Sequence, residues 1–330
     1  METIKIEDIP GFSFGQAQNV EAGTGCTVIL CPTGAVCGVD VRGGSPSTRD
    51  TDALDPRCNR EVVHAVLLTG GSAFGLDAAG GVMKKLEEAR IGRDVLVTVV
   101  PNVCGAVLFD LKCGHAHIRP DAAMGYAACE VALERPPFQN GCFGAGTGAT
   151  LGKALGIESA MKGGIGAAAF RQGELMVGAV VAVNCVGDVW EDGRILAGCR
   201  GQDGLTFSDG EQVLLDGYRR QKDVFSGRFA GEDNTVIGCI VTNAALSKAQ
   251  AGKLAAVGHN GLARAIRPAH TTFDGDTMFA MSYGDVWADP DAVGILAVRA
   301  VEEAILQGVK AAVSMHGIPA WKDLYNQKAL

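Results

Sequence analysis

Glu232-Asp233-Asn234-Thr235-Val236-Ile237-Gly238-Cys239-Ile240-Val241-Thr242 runs from two acids into a continuous apolar stretch. A continuous apolar run rich in β-branched residues, entered from a polar loop, predicts a buried strand over Thr235–Thr242. Downstream, Ser247-Lys-Ala-Gln250 is a capping box, and Leu254, Val257 and Ile266 follow along one apolar side of a helix. A turn at Phe273-Asp274-Gly275-Asp276 leads into a strand over Thr277–Ser282. Asp289 then reads as an N-cap, with Pro290 at the first position of a helix carrying Val293, Ala297, Val301, Ile305 and Val309. The order strand, helix, strand, helix predicts an α/β protein.

Upstream the same alternation holds. Cys26–Leu30 and Ala35–Val41 read as two short strands around the turn Pro32-Thr33-Gly34, and His64–Leu68 as a third. The turn Thr69-Gly70-Gly71-Ser72 opens a helix over Ala73–Glu88, with Ser72 as its cap. Val95–Val100 is expected as a strand, Ala122–Leu133 as a helix stopped by Pro136-Pro137, and Leu175–Val183 as a strong strand. Trp190–Glu232 is polar and weakly periodic, so it reads as a long surface loop. No repeat and no linker divides the 330 residues into separate domains.

The chain has 46 glycines, about twice the usual share. They follow no collagen period, and no apolar stretch is long enough to span a bilayer. Those in Gly141–Gly152 and at Gly163-Gly164-Ile165-Gly166 mark places where backbone approaches something closely. A net charge of −8 without a basic stripe excludes a nucleic-acid binder. The amino terminus lacks the pattern of a secretory signal, which gives a cytoplasmic expectation. Eleven cysteines without a Cys-x-x-Cys pair read as small buried hydrophobes of a reducing compartment.

Familiar motifs fail when tested. Gly152-Lys153 lacks the first glycine and the final hydroxyl of a P-loop, and Gly144-x-Gly146-x-x-Ala149 follows no convincing strand. Phe74 replaces the last glycine of a nucleophile elbow at Ser72. The six histidines have no ligand set at metal spacing. No cofactor or metal is expected.

Asn234-Thr235 reads two ways. As composition it is an ordinary dipeptide in a polar loop. As chemistry it suits self-cleavage, in which the Thr235 hydroxyl attacks the Asn234 carbonyl and the ester then hydrolyses. The product is a chain beginning at Thr235, whose α-amino group, with an ordinary pKa near 7.7 to 8.0, can serve as base for its own hydroxyl.

Taken together, several stretches resemble the L-aminopeptidase/D-esterase and β-peptidyl aminopeptidase family, which includes the nylon-oligomer hydrolases. They are Ala22–Leu30, Val39–Gly44, Leu68–Asp77, Gly144–Thr150, Lys162–Gly166, Asn234-Thr235 and Asp274–Asp276. The resemblance implies an αββα sandwich, folded as one domain and cut into residues 1–234 and 235–330. It also implies a cofactor-free amidohydrolase or aminopeptidase that cleaves small peptides or amino-acid amides through an acyl-enzyme on Thr235.

By the same resemblance Asn184 helps hold the oxyanion, and Asp274 and Asp276 orient the amine and hydroxyl of the nucleophile. Lys162 resembles a lysine beside the nucleophile, where its charge keeps the amine neutral. The residues also allow plainer readings: a strand-end turn for Asn184, an Asp-Gly turn at 274–276, and a solvated lysine at 162. Phe109 stands where aminopeptidase members carry a tyrosine. An acyltransferase of the ornithine-acetyltransferase type, or an unprocessed binding or assembly protein, are the alternatives. Small side chains suit tight association, and a homo-oligomer of processed heterodimers is the expected assembly.

Overall fold

In the computed structural model, residues 1–218 and 234–325 are described. The strand that begins at Thr235 extends to Ala244, pairing antiparallel with Leu175–Asn184 and parallel with Thr277–Val286. Its side chains alternate between two cores, Val236, Ile240 and Ala244 facing one and Ile237, Cys239 and Val241 the other. Both faces are buried, which is why the run is apolar throughout.

Two sheets share one long strand, Thr24–Val41. Its second half completes a sheet ordered Glu2–Ile4, Gly164–Gln172, Leu175–Asn184, Thr235–Ala244, Thr277–Val286. Its first half pairs with Ser13–Asn19 and Val63–Thr69, beyond which lie Val103–Val107 and Thr48–Arg49. The two strands expected around Pro32-Thr33-Gly34 are therefore one. The proline and Gly34, at φ +83°, sit in a register shift between Leu30 and Ala35 instead of closing a hairpin.

Three cores separate four layers. Ile29, Val66 and Leu68 meet Val180, Ile237 and Phe279 between the sheets. On the outside of the first sheet, Val177 and Ile240 pack with Leu254 and Leu262 of helix Lys248–Ala265 and with Val301 and Ile305 of helix Pro290–Ala311. On the outside of the second, Val28 and Leu67 pack with Val82 and Leu86 of helix Ala78–Glu88 and with Cys129 of helix Ala122–Glu134. Each such side chain, fully buried, contributes roughly 1.5–3 kcal/mol. The order helix, sheet, sheet, helix is the expected αββα sandwich. Glycine lets these layers close up: a Cβ on Gly166 would lie 2.0 Å from the Ala304 carbonyl oxygen of the overlying helix.

The capping signals at Ser247–Gln250 and Asp289 are realised, with Asp289 accepting from the Asp291 amide. Other expectations need correction. Arg93–Asp94 and Val99–Val100 form a small antiparallel pair, with Leu96 and Val97 exposed at its tip. The buried strand of that region is Val103–Val107, beyond the proline. Residues Ser72–Asp77 are a 3-10 turn that precedes the α-helix, and Ser72 makes no side-chain cap. Ile266 falls beyond the helix, in the short strand Ile266–Arg267.

Within Trp190–Glu232 the described part holds the hairpin Asp188–Glu191 with Arg194–Ala197 and a helix Gly210–Asp216; residues 219–232 lie outside the described residues. Ten of the cysteines are buried thiols, and Cys58 is exposed. No helix among the described residues is long and apolar enough to cross a membrane.

Candidate active site

Thr235 opens its strand opposite Asn184, its register partner at the end of Leu175–Asn184. On its other side the loop Phe273–Asp276 enters the parallel strand. Asn234 bridges to Asp274, giving its N–H to the Phe273 carbonyl at 3.0 Å. The first turn of the sheet thus gathers Asn234, Thr235, Asn184, Asp274 and Asp276, all buried.

The Thr235 hydroxyl donates to the carbonyl oxygen of Asn234, the bond before it. The Gly275 N–H points at both groups, 2.8 Å from the Asn234 oxygen and 3.2 Å from Thr235 Oγ1. A donor already aimed at a carbonyl oxygen stabilises the negative charge that attack on the carbonyl carbon would place there. Gly275 is required by space: a Cβ would sit 2.8 Å from Thr235 Oγ1 and 2.7 Å from the Ser45 carbonyl oxygen.

The two carboxylates differ in surroundings. Asp276 Oδ1 accepts the Val236 N–H at 2.7 Å, while its Oδ2 faces the His270 backbone N–H at 3.0 Å and ring Nδ1 at 2.8 Å. Asp274 Oδ2 accepts from the Thr271 hydroxyl and N–H at 2.6 and 3.0 Å, and among the described residues its Oδ1 receives only the more distant Val186 N–H at 3.3 Å. Burial first, and the neighbouring Asp276 charge second, lift the Asp274 carboxyl to about 6.

Asn184 is fully buried. Its Oδ1 accepts the Thr150 N–H at 3.0 Å and Lys153 Nζ at 3.1 Å, and its Nδ2 donates to the Phe109 carbonyl at 2.9 Å. Phe109 thus meets Asn184 through its main-chain carbonyl. Lys162 is not solvated: it has no exposed surface, and its Nζ donates to the carbonyls of Thr147 and Ala149, both at 2.8 Å. Those bonds brace the glycine turn that carries Thr150.

The lysine in contact with Asn184 is Lys153, which the sequence reading met only as part of a failed P-loop. Nothing in its local pattern marks it, because the contact spans 31 residues. His270 likewise carries no local mark of a contact with Asp276, since metal spacing is the only pattern the histidines offer. A narrow cavity beside Asn184 is lined by Phe109, Asp110, Lys112, Gly148, Thr150 and Lys153. A groove between the helices Lys248–Ala265 and Pro290–Ala311 shares no residue with this cluster.

A family model described as peptidase family S58 matches residues 5–321. The chain belongs to peptidase family S58. An uncharacterized aminopeptidase of Mycobacterium tuberculosis (strain ATCC 25618 / H37Rv) is 40% identical, with 97% of each chain covered. A 6-aminohexanoate-oligomer endohydrolase of Paenarthrobacter ureafaciens is 32% identical over 92% of this chain and 85% of its own.

Among solved structures, a Burkholderia sp. β-aminopeptidase superposes with a TM-score of 0.65 at 21% identity, covering 98% of this chain and 93% of that one. The L-aminopeptidase D-Ala-esterase/amidase of Ochrobactrum anthropi, described as a variant of the Ntn hydrolase fold, gives 0.64 at 19% identity, covering 98% and 94%. These likenesses establish the layered fold. As an S58 member the chain is a hydrolase of the peptidase kind.

Proposed function

We propose that the chain cuts itself between Asn234 and Thr235, and that residues 1–234 and 235–330 remain one folded unit in which Thr235 is an N-terminal nucleophile. The observation that carries this reading is the Thr235 hydroxyl lying against the Asn234 carbonyl oxygen, which the Gly275 N–H also holds. Attack of Thr235 Oγ1 on the Asn234 carbonyl carbon puts charge on that oxygen. The C–N bond then breaks, the hydroxyl proton passes to the Thr235 nitrogen, and an ester results. Water hydrolyses the ester, leaving a carboxyl on Asn234 and a free amine on Thr235.

The mature threonine then repeats the chemistry on a substrate. Its amine takes the proton from Oγ1 as the hydroxyl attacks an amide carbonyl, the leaving amine carries the proton away, and water releases the acyl group. In this reading Asn184 Nδ2 turns from the Phe109 carbonyl to the substrate oxyanion, with Lys153 holding its Oδ1. Asp274 and Asp276 orient the new amine and the start of the strand, and Lys162 braces the turn behind Thr150.

The substrates that fit are small peptides and amino-acid amides, in keeping with the aminopeptidase and oligomer-endohydrolase relatives. S58 membership favours hydrolysis over acyl transfer. The test is a screen of processed protein on amino-acid amides, β-peptides and 6-aminohexanoate oligomers, with and without an amine acceptor. Release of free acid that Thr235→Ala abolishes supports the reading, and acyl product found only with the acceptor would replace hydrolase by transferase.

A further inference from the structure

Behind Asp276 stands a pair of histidines with no part in the steps above. The His270 backbone N–H and ring Nδ1 both meet Asp276 Oδ2, while Asp276 Oδ1 holds the amide of Val236, the residue after the nucleophile. The His270 ring packs edge-on against His259, with centroids 4.8 Å apart at 73°. His259 Nε2 lies 3.0 Å from the Asp40 carbonyl and 3.4 Å from its carboxylate. Neither His270 Nε2 nor His259 Nδ1, both buried, has a hydrogen-bond partner among the described residues.

These contacts assign the protons. A carboxylate and a carbonyl accept only, so His270 carries hydrogen on Nδ1 and His259 on Nε2. A second proton on His259 would leave a buried N–H without an acceptor and put positive charge against the His270 ring. Burial, with His270 and Arg42 adding to it, pushes His259 below its ordinary value against the pull of Asp40. The charged and titratable groups around the pair are Asp276, with Asp274 beyond it, Asp40 from the long shared strand, and Arg42 just past that strand's end. His270 also sits at φ +57°, a left-handed conformation in which Asn, Asp and His are enriched.

We propose that His270 is a positioning residue for the nucleophile. Its Nδ1–H fixes the Asp276 carboxylate, which in turn fixes the Val236 amide and so the place of Thr235 Oγ1 at the start of the strand. The proposal rests on the reading of Thr235 as nucleophile, and one experiment separates the two. Intact-mass time courses of self-cleavage, and kcat and KM of processed enzyme on an amino-acid amide, are compared for wild type, His270→Phe, His270→Asn and His270→Gln.

Phenylalanine keeps a ring and removes the donor, so cleavage and kcat are expected to fall roughly 10- to 100-fold with KM little changed. Asparagine tolerates the backbone and places an N–H where Nδ1 was, so it should stay within about threefold of wild type, whereas glutamine, whose amide reaches the Nε2 position, should resemble phenylalanine. Wild-type rates in His270→Phe, or equal rates for asparagine and glutamine, would overturn the proposal. Should His270→Phe not fold, the asparagine–glutamine contrast decides. If none of the three variants folds, the imidazole as a whole serves the fold, and the proposal fails. A wild-type chain that never cuts removes the reading of Thr235 itself, whereas normal cutting in every variant removes only the role of His270.

Discussion

Asp274→Asn, made in a Thr235→Ala chain that lacks the hydroxyl proposed to cut it, isolates what this carboxylate costs the fold. Asp274 is 1% exposed, and burial lifts its carboxyl to about 6, against about 3.9 in an unfolded chain. Between those values the folded chain holds a proton that the unfolded chain has lost, so stability falls as pH rises. The contribution is complete below about pH 4 and is lost as pH passes through about 6. A displacement of that size corresponds to about 3 kcal/mol.

Asparagine does not titrate. Its single oxygen can keep the two Thr271 donors, but its NH₂ then faces the Val186 N–H, at a cost of about 1–2 kcal/mol. At pH 4.5 about 1 kcal/mol of that contribution is already lost, so Asp274→Asn is expected to be less stable than its parent by up to about 1 kcal/mol there, and more stable by about 1–2 kcal/mol at pH 8. Urea unfolding of both chains at pH 4.5, 6 and 8 measures the crossing. A difference between the chains that does not change with pH would refute the reasoning. The same substitution in the cleavable chain should abolish activity, which would make Asp274 a functional carboxylate held against stability.

Gly275→Ala is expected to slow self-cleavage about tenfold or more, because its methyl would crowd Thr235 Oγ1 at 2.8 Å; timed intact-mass spectra measure the rate. Lys162→Met should cost the Thr235→Ala chain roughly 2–5 kcal/mol in urea unfolding, since the carbonyls of Thr147 and Ala149 lose their buried donor. An unchanged stability with lost turnover would instead return Lys162 to a direct role beside the nucleophile.

The local signals in the sequence were legible where one element carried its own evidence. The apolar run after Asn234, the capping box at Ser247 and the Asp289-Pro290 start all stand as read. Reading failed where partners are remote. Val95–Val100 has strand composition, yet its residues 96 and 97 find no sheet and lie exposed at a turn, while Val103–Val107 slots between strands 63–69 and 48–49. Pro32-Thr33-Gly34 has the local chemistry of a turn, and only pairing with three other strands keeps the chain extended through it. The site divides the same way. Asn234, Thr235, Asp274 and Asp276 are picked out by resemblance, whereas Lys153 and His270 reach the cluster through contacts that no short pattern encodes.

The account stands or falls on whether Thr235 becomes an amino terminus, and the intact mass of purified protein reads that directly. Two fragments of 1–234 and 235–330, the smaller beginning Thr235-Val236-Ile237-Gly238, are expected from wild type and a single full-length chain from Thr235→Ala. Wild-type protein that keeps its full-length mass after prolonged incubation at neutral pH would contradict the account.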